Sequence, residues 1–304
     1  MEVQEIDRVS SIAREEFVSM YLKPSRPVIV THMAHNWPAF EKWTWDHFKE
    51  VVGETTVPVY NNMRAGAKVP VNGGDGFMKF GEYIDLICKG PSEWRIFLFN
   101  LFKHAPILKQ DFTFPDELMS GFLKSYPMLF VGGKGSIAHM HYDLDLSHIF
   151  HTQFIGRKRV LLLHNSQSPL IYKMPLTVES AASFVNWQDG VDTKSFPALK
   201  YAKGYTTILE HGDTLFMPSG YWHHMQYLDS GFAMSLRALP AGLAAKINTL
   251  YHLLGMRGFN NMLIKAAPQW WYHYKRRFAH QQAEKAIKLF SQTSQQSHQA
   301  QPYF

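Results

Sequence analysis

Apolar positions change their rhythm twice along this chain. From Ile12 to Leu22 they recur at helical spacing and stop before Pro24, and Pro27-Val28-Ile29-Val30 then reads as a short strand. Trp45 to Val52 is helical again and ends near Gly53, with Val57-Pro58-Val59-Tyr60 as the next strand. Between Gly73 and Leu118 the pattern mixes, predicting a helix over Phe80–Cys88 and a strand over Trp94–Phe99. From Met128 to Ala238 the texture becomes short β-rich runs separated by Gly, Pro, Asn and Asp, the signature of a sandwich or barrel. Leu161 to Leu163 carry no polar alternation, as expected of a strand covered on both faces. After Pro240 helical spacing returns through Phe290, and a polar tail follows.

These rhythms predict one mainly β unit with helical additions. Helices and strands over 1–125 buttress a catalytic core over 126–240, helices fill 241–290, and 291–304 is a disordered tail. The hydrophobic fraction of 46%, with 22 Phe, 14 Tyr and 8 Trp, suffices for a sizeable core and argues against general disorder. The single cysteine, Cys88, excludes an internal disulfide and reads as a small buried hydrophobe in a reducing compartment. The N-terminus lacks the apolar run of a signal peptide, and no stretch reaches the roughly 18 apolar residues of a spanning helix. A cytoplasmic protein without a membrane partner is expected. The net charge of +6 gathers late, in Lys265, Lys275, Arg276, Arg277, Lys285 and Lys288, and reads as a solvated helical face rather than a nucleic-acid site. Leu250, Leu253, Leu254, Met262, Leu263 and Ile264, with Trp270, Trp271 and Tyr272, need cover, from the chain's own barrel or from a second copy.

Candidate chemistry centres on His141-Tyr142-Asp143. Two ligands two residues apart on a strand point to one side, and a facial metal triad then needs an imidazole from a distant strand. His223 after Pro218-Ser219-Gly220-Tyr221-Trp222 fits, with the adjacent His224 pointing the other way. Among 16 His there are rivals. His211-Gly212-Asp213 looks like a tight turn before a strand. His139 shares a face with His141 and reads as a ligand, a donor behind the ligands, a substrate contact or an exposed residue. In Gly156-Arg157-Lys158-Arg159, alternation turns Lys158 away from its two arginine neighbours, a candidate for an inward cation.

Taken in order, these pieces resemble the JmjC and cupin-like family of 2-oxoglutarate oxygenases, the group that includes the asparaginyl hydroxylase acting on hypoxia-inducible factor. The resemblance rests on Arg26-Pro27-Val28-Ile29-Val30, Asn36-Trp37-Pro38-Ala39 and Lys42-Trp43-Thr44, then Gly135-Ser136 leading to His141-Tyr142-Asp143. It continues through Gln153-Phe154-Ile155-Gly156-Arg157-Lys158-Arg159-Val160, then Gly212-Asp213-Thr214-Leu215-Phe216-Met217-Pro218 and Tyr221-Trp222-His223.

The resemblance implies a double-stranded β-helix (jelly roll) holding Fe(II) through His141, Asp143 and His223, with O2 and 2-oxoglutarate as cosubstrates. It places Lys158 on the distal carboxylate of 2-oxoglutarate and Ser235 along the cosubstrate pocket, with Arg237 near a position where the family carries Asn. It implies hydroxylation of an unactivated C–H bond, a protein side chain as substrate, and a homodimer through C-terminal helices. Hydroxylation of a small molecule or nucleic acid, or binding without turnover, are the alternatives. The chain departs from the family pattern in an interval between Asp143 and Gly156 about two residues longer than usual. Ala138 stands for a Thr, Ser147 for an Asn, and Phe97 or Phe99 for a cosubstrate-binding Tyr.

Overall fold

A computed structural model describes residues 1–62, 74–176, 183–187, 190–242, 247–248 and 250–299. Among these the strands are β1 (Glu2–Glu5), β2 (Asp7–Val9), β3 (Val28–Val30), β4 (Thr56–Val59), β5 (Gly76–Lys79), β6 (Arg95–Phe99) and β7 (Met128–Gly132). They continue as β8 (Ile137–His141), β9 (His148–Ile155), β10 (Lys158–Leu163), β11 (Lys203–Leu209), β12 (Thr214–Met217), β13 (Trp222–Tyr227) and β14 (Gly231–Ala238). The α-helices are α1 (Arg14–Phe17), which runs on as a π turn, α2 (Ala39–Lys42), α3 (Trp45–Val52), α4 (Phe80–Cys88), α5 (Arg257–Ala266) and α6 (Pro268–Gln299).

Two sheets form the jelly roll. One has the order β1-β11-β10-β13-β8, the other β2-β3-β12-β9-β14-β7-β6, and β4 pairs with β5 apart from both. Alternation along each strand sorts side chains into three apolar layers. Ile149, Val160, Leu162, Leu215, Met217 and Met225 fill the space between the sheets. On the outer face of the seven-stranded sheet, Phe150, Phe154, Phe216 and Phe232 pack on Trp43, Phe48 and Phe80 of the N-terminal helices. On the outer face of the other sheet, Tyr142, Leu163 and Trp222 belong to a cluster that includes Ala279 and Ala283 of α6. Gly156 turns β9 into β10 at φ +70, and a Cβ there would lie 2.6 Å from the Ser230 carbonyl oxygen, so only glycine fits.

The sheets recruit strands from outside 126–240. β1 and β2, with polar sequences EVQE and DRV, were not predicted; they pair in parallel with β11 and β3, and backbone bonds at a sheet edge need no apolar side chains. Cys88 is exposed rather than buried. It ends α4 one position past the inward-facing Tyr83, Ile84 and Ile87. The polar tail read as disordered is helical through Gln299, because adding turns to an existing helix needs no new nucleus; residues 300–304 lie outside the described residues. No helix among the described residues is long and apolar enough to cross a membrane.

Candidate metal and cosubstrate site

β8 and β13 are antiparallel neighbours in which His141 and His223 stand directly opposite, so both imidazoles enter the space between the sheets at one point. Their rings lie 4.2 Å apart, centre to centre. Asp143 follows just past the end of β8, with Oδ1 4.0 Å from His141 Nε2. One ligand atom from each of His141, Asp143 and His223 lies within 4.8 Å of the others.

The other nitrogens of both rings are committed. His141 Nδ1–H donates to the His139 carbonyl at 2.6 Å, and His223 Nδ1–H to the Tyr221 carbonyl at 3.1 Å. Each bond fixes the tautomer that leaves the Nε2 lone pair free. Burial, reinforced by His223, lowers the His141 imidazole to about 3, so it stays neutral and able to ligate. For Asp143 burial works upward, but Arg237, His223 and His141 outweigh it and hold the carboxyl below its usual range. Arg237 caps Asp143 Oδ2 and has Nε 3.5 Å from Asp145, which leaves Oδ1 on the His141 side. Two imidazoles and one carboxylate meeting at a point suit a divalent iron with open positions.

The rivals are elsewhere. His139 Nε2–H donates to the Asn62 carbonyl at 2.8 Å, outside the cluster. Gly212 has φ +84 in a turn, and Asp213 pairs with Arg8 at 2.6 Å. His224 is buried on the face of β13 opposite His223.

Deeper between the sheets lies Lys158, 1% exposed, on β10 opposite Tyr227 of β13. Its Nζ sits 4.3 Å from the Tyr227 ring centre and 3.0 Å from His151 Nε2, and no carboxylate pairs with it among the described residues. Burial drops its ammonium to about 7. His151 stands on β9 directly opposite Ser235 of β14, with Nδ1 2.8 Å from Ser235 Oγ. Burial, then Lys158 and His223, push the His151 imidazole well down against the opposing pull of Asp143.

Sequence reasoning named Lys158 and Ser235 but missed His151. The signal was alternation: Phe150 and Phe154 face outward, which turns His151 inward. Arg95 was missed too; it is buried and hydrogen-bonds the Asn61 carbonyl. Phe97 lies under its guanidinium and Phe99 stacks on His104; as phenylalanines, neither has a hydroxyl to offer.

A double-stranded β-helix with a His-x-Asp pair and a distant His on neighbouring strands defines the class of cupin-type metal centres. The chain belongs to the cupin-like domain family, whose model matches residues 13–252. It is similar to "Lysine-specific demethylase 8" of Xenopus tropicalis, 26% identical over 226 residues, 73% of this chain and 50% of that protein. It is also similar to "Arginine-specific demethylase JMJ22" of Arabidopsis thaliana, 26% identical over 246 residues, 76% of this chain and 45% of that protein. "JmjC domain-containing protein A" of Dictyostelium discoideum is 26% identical over 246 residues, 75% of this chain and 92% of that protein. The chain spans about half the length of the two demethylases it matches. JmjC demethylases of this kind use Fe(II) and 2-oxoglutarate, and His141, Asp143 and His223 form a donor set that fits Fe(II).

Proposed function

We propose that this chain is an Fe(II)- and 2-oxoglutarate-dependent oxygenase that hydroxylates an unactivated C–H bond of a protein side chain. The observation that carries the reading is the convergence of His141, Asp143 and His223, their ligand atoms within 4.8 Å of one another. Bound Fe(II), with 2-oxoglutarate and O2, would supply the oxidant that converts C–H to C–OH and leaves succinate and CO2.

The chain's own residues bind and orient. His141, Asp143 and His223 would hold the iron, and Arg237 keeps Asp143 charged and turned toward it. Lys158 supplies a buried cation for the distal carboxylate, which otherwise would enter the core uncompensated. Ser235 lines that end of the pocket. The apolar layer of Ile149, Val160 and Leu162 excludes water behind the reacting centre. Relatives named as lysine- and arginine-specific demethylases favour a protein substrate, since a methyl carbon on a side-chain nitrogen is one such C–H donor. Purified chain incubated with Fe(II), ascorbate and 2-oxoglutarate is expected to release succinate. No succinate from iron-loaded protein, with or without methylated peptide, would leave a binding protein in its place.

The same reading extends to a homodimer through the C-terminal helices. Trp271 packs inward, but Leu254, Met262 and Trp270 are 66%, 55% and 58% exposed, more apolar surface than one copy covers. Light scattering is expected to give twice the chain mass; a monomer at micromolar concentration sinks the dimer.

A further inference from the structure

Lys158 and His151 come from different sheets, and their contact at 3.0 Å is made only by the packing of one sheet on the other. The hydrogen bonds around them have one consistent direction. In its charged form, the one that recognises a carboxylate, Lys158 has protons and no lone pair, so Nζ donates to His151 Nε2. His151 then carries its proton on Nδ1 and donates it to Ser235 Oγ at 2.8 Å. A second ammonium proton faces the Tyr227 ring, whose centre is 4.3 Å away. The third has no acceptor among the described residues. His151 is 2% exposed and has no role in the metal cluster.

A flexible four-carbon side chain carrying an ammonium is a poor recognition element unless something fixes its direction. Here an imidazole locked by a cross-strand serine fixes it on one side and an aromatic face on another. We propose that His151, held by Ser235, is the positioning residue that aims the remaining Lys158 proton at the distal carboxylate of a 2-oxo dicarboxylate. The inference rests on the oxygenase reading above and deepens it, because it makes the distance between the keto acid and the far carboxylate a selected quantity. A mono-acid lacking the far carboxylate gains nothing from His151.

The test uses the full chain loaded with Mn(II), a redox-silent stand-in for iron. Calorimetry measures Kd for 2-oxoglutarate and for 2-oxobutyrate, which has the same keto acid end and no distal carboxylate. His151→Leu is expected to weaken 2-oxoglutarate about tenfold or more while leaving 2-oxobutyrate and Mn(II) within about twofold. His151→Gln, whose amide oxygen can accept from Lys158, recovers most of the loss. Ser235→Ala, a milder change should the leucine variant fail to fold, shifts 2-oxoglutarate alone by a smaller factor. Unchanged 2-oxoglutarate affinity in either variant, or equal loss for both keto acids, overturns the proposal. Wild-type protein that holds Mn(II) yet binds neither keto acid overturns the oxygenase reading itself, and this inference with it.

Discussion

The iron end and the carboxylate end of the pocket are built by opposite means. At the iron end, His141 and His223 are cross-strand partners within one sheet, each imidazole tied to a carbonyl two residues before it in its own chain segment. At the carboxylate end, Lys158 of one sheet reaches His151 of the other, which in turn bonds Ser235. Backbone register fixes the first arrangement. Only the packing of side chains between sheets about 10 Å apart fixes the second. The electrostatics differ in step: at the iron end a carboxylate is kept charged by Arg237, whereas at the far end a cation lies buried with no carboxylate beside it among the described residues. A ligand with two separated anionic groups completes both ends at once.

The largest effect is expected from breaking the iron end. His141→Ala, Asp143→Ala or His223→Ala should abolish stoichiometric iron and lower succinate formation by at least about a hundredfold. His139→Ala should keep its metal. Iron retained in the first set and lost in His139→Ala, measured by elemental analysis of purified protein, would move the site.

Lys158→Ala breaks the other end. Loss of a charged hydrogen bond of about 1.5–3 kcal/mol weakens 2-oxoglutarate by roughly 10- to 100-fold. Metal content should be untouched. A variant with unaltered 2-oxoglutarate affinity would transfer the carboxylate contact to another cation, with Arg237 and Arg95 the first to examine.

The smallest effect is a pH dependence that belongs to one end alone. Burial sets the Lys158 ammonium near 7 in the free protein, and a bound dicarboxylate favours its charged form. Below about 7 the proton is already present and affinity is level. Above it, binding must take up a proton, so 2-oxoglutarate Kd rises by at most about tenfold per pH unit and in all by less than Lys158→Ala costs. Between pH 7 and 9 the 2-oxobutyrate Kd should stay flat; a parallel rise for both ligands would assign the titration elsewhere.

The iron end was legible because its geometry is local. Period-two alternation puts His141 and Asp143 on one side, and the pairing of β8 with β13 then sets His223 opposite His141. His151 was hidden for a physical reason. β9 is buried on both faces from Ile149 to Phe154, so the polarity contrast that marks an inward face is absent. The longer interval after Asp143 also blurred the register between the two motifs. That interval supplies Asp145, which shares Arg237 with Asp143, so two departures from the family pattern meet in one ion-pair group.

By itself the sequence carried the strand rhythm, the shared face of His141 and Asp143 and the turn of Lys158 away from its arginine neighbours, because each follows from which side of a strand a residue takes; the jelly-roll class came from the order of the motifs. The tertiary structure decided what Lys158 meets, that Arg237 serves Asp143, that Cys88 is exposed, and that polar β1 and β2 join the sheets. Those outcomes depend on which elements come to lie opposite one another, and period-two alternation carries no information about partners across a core.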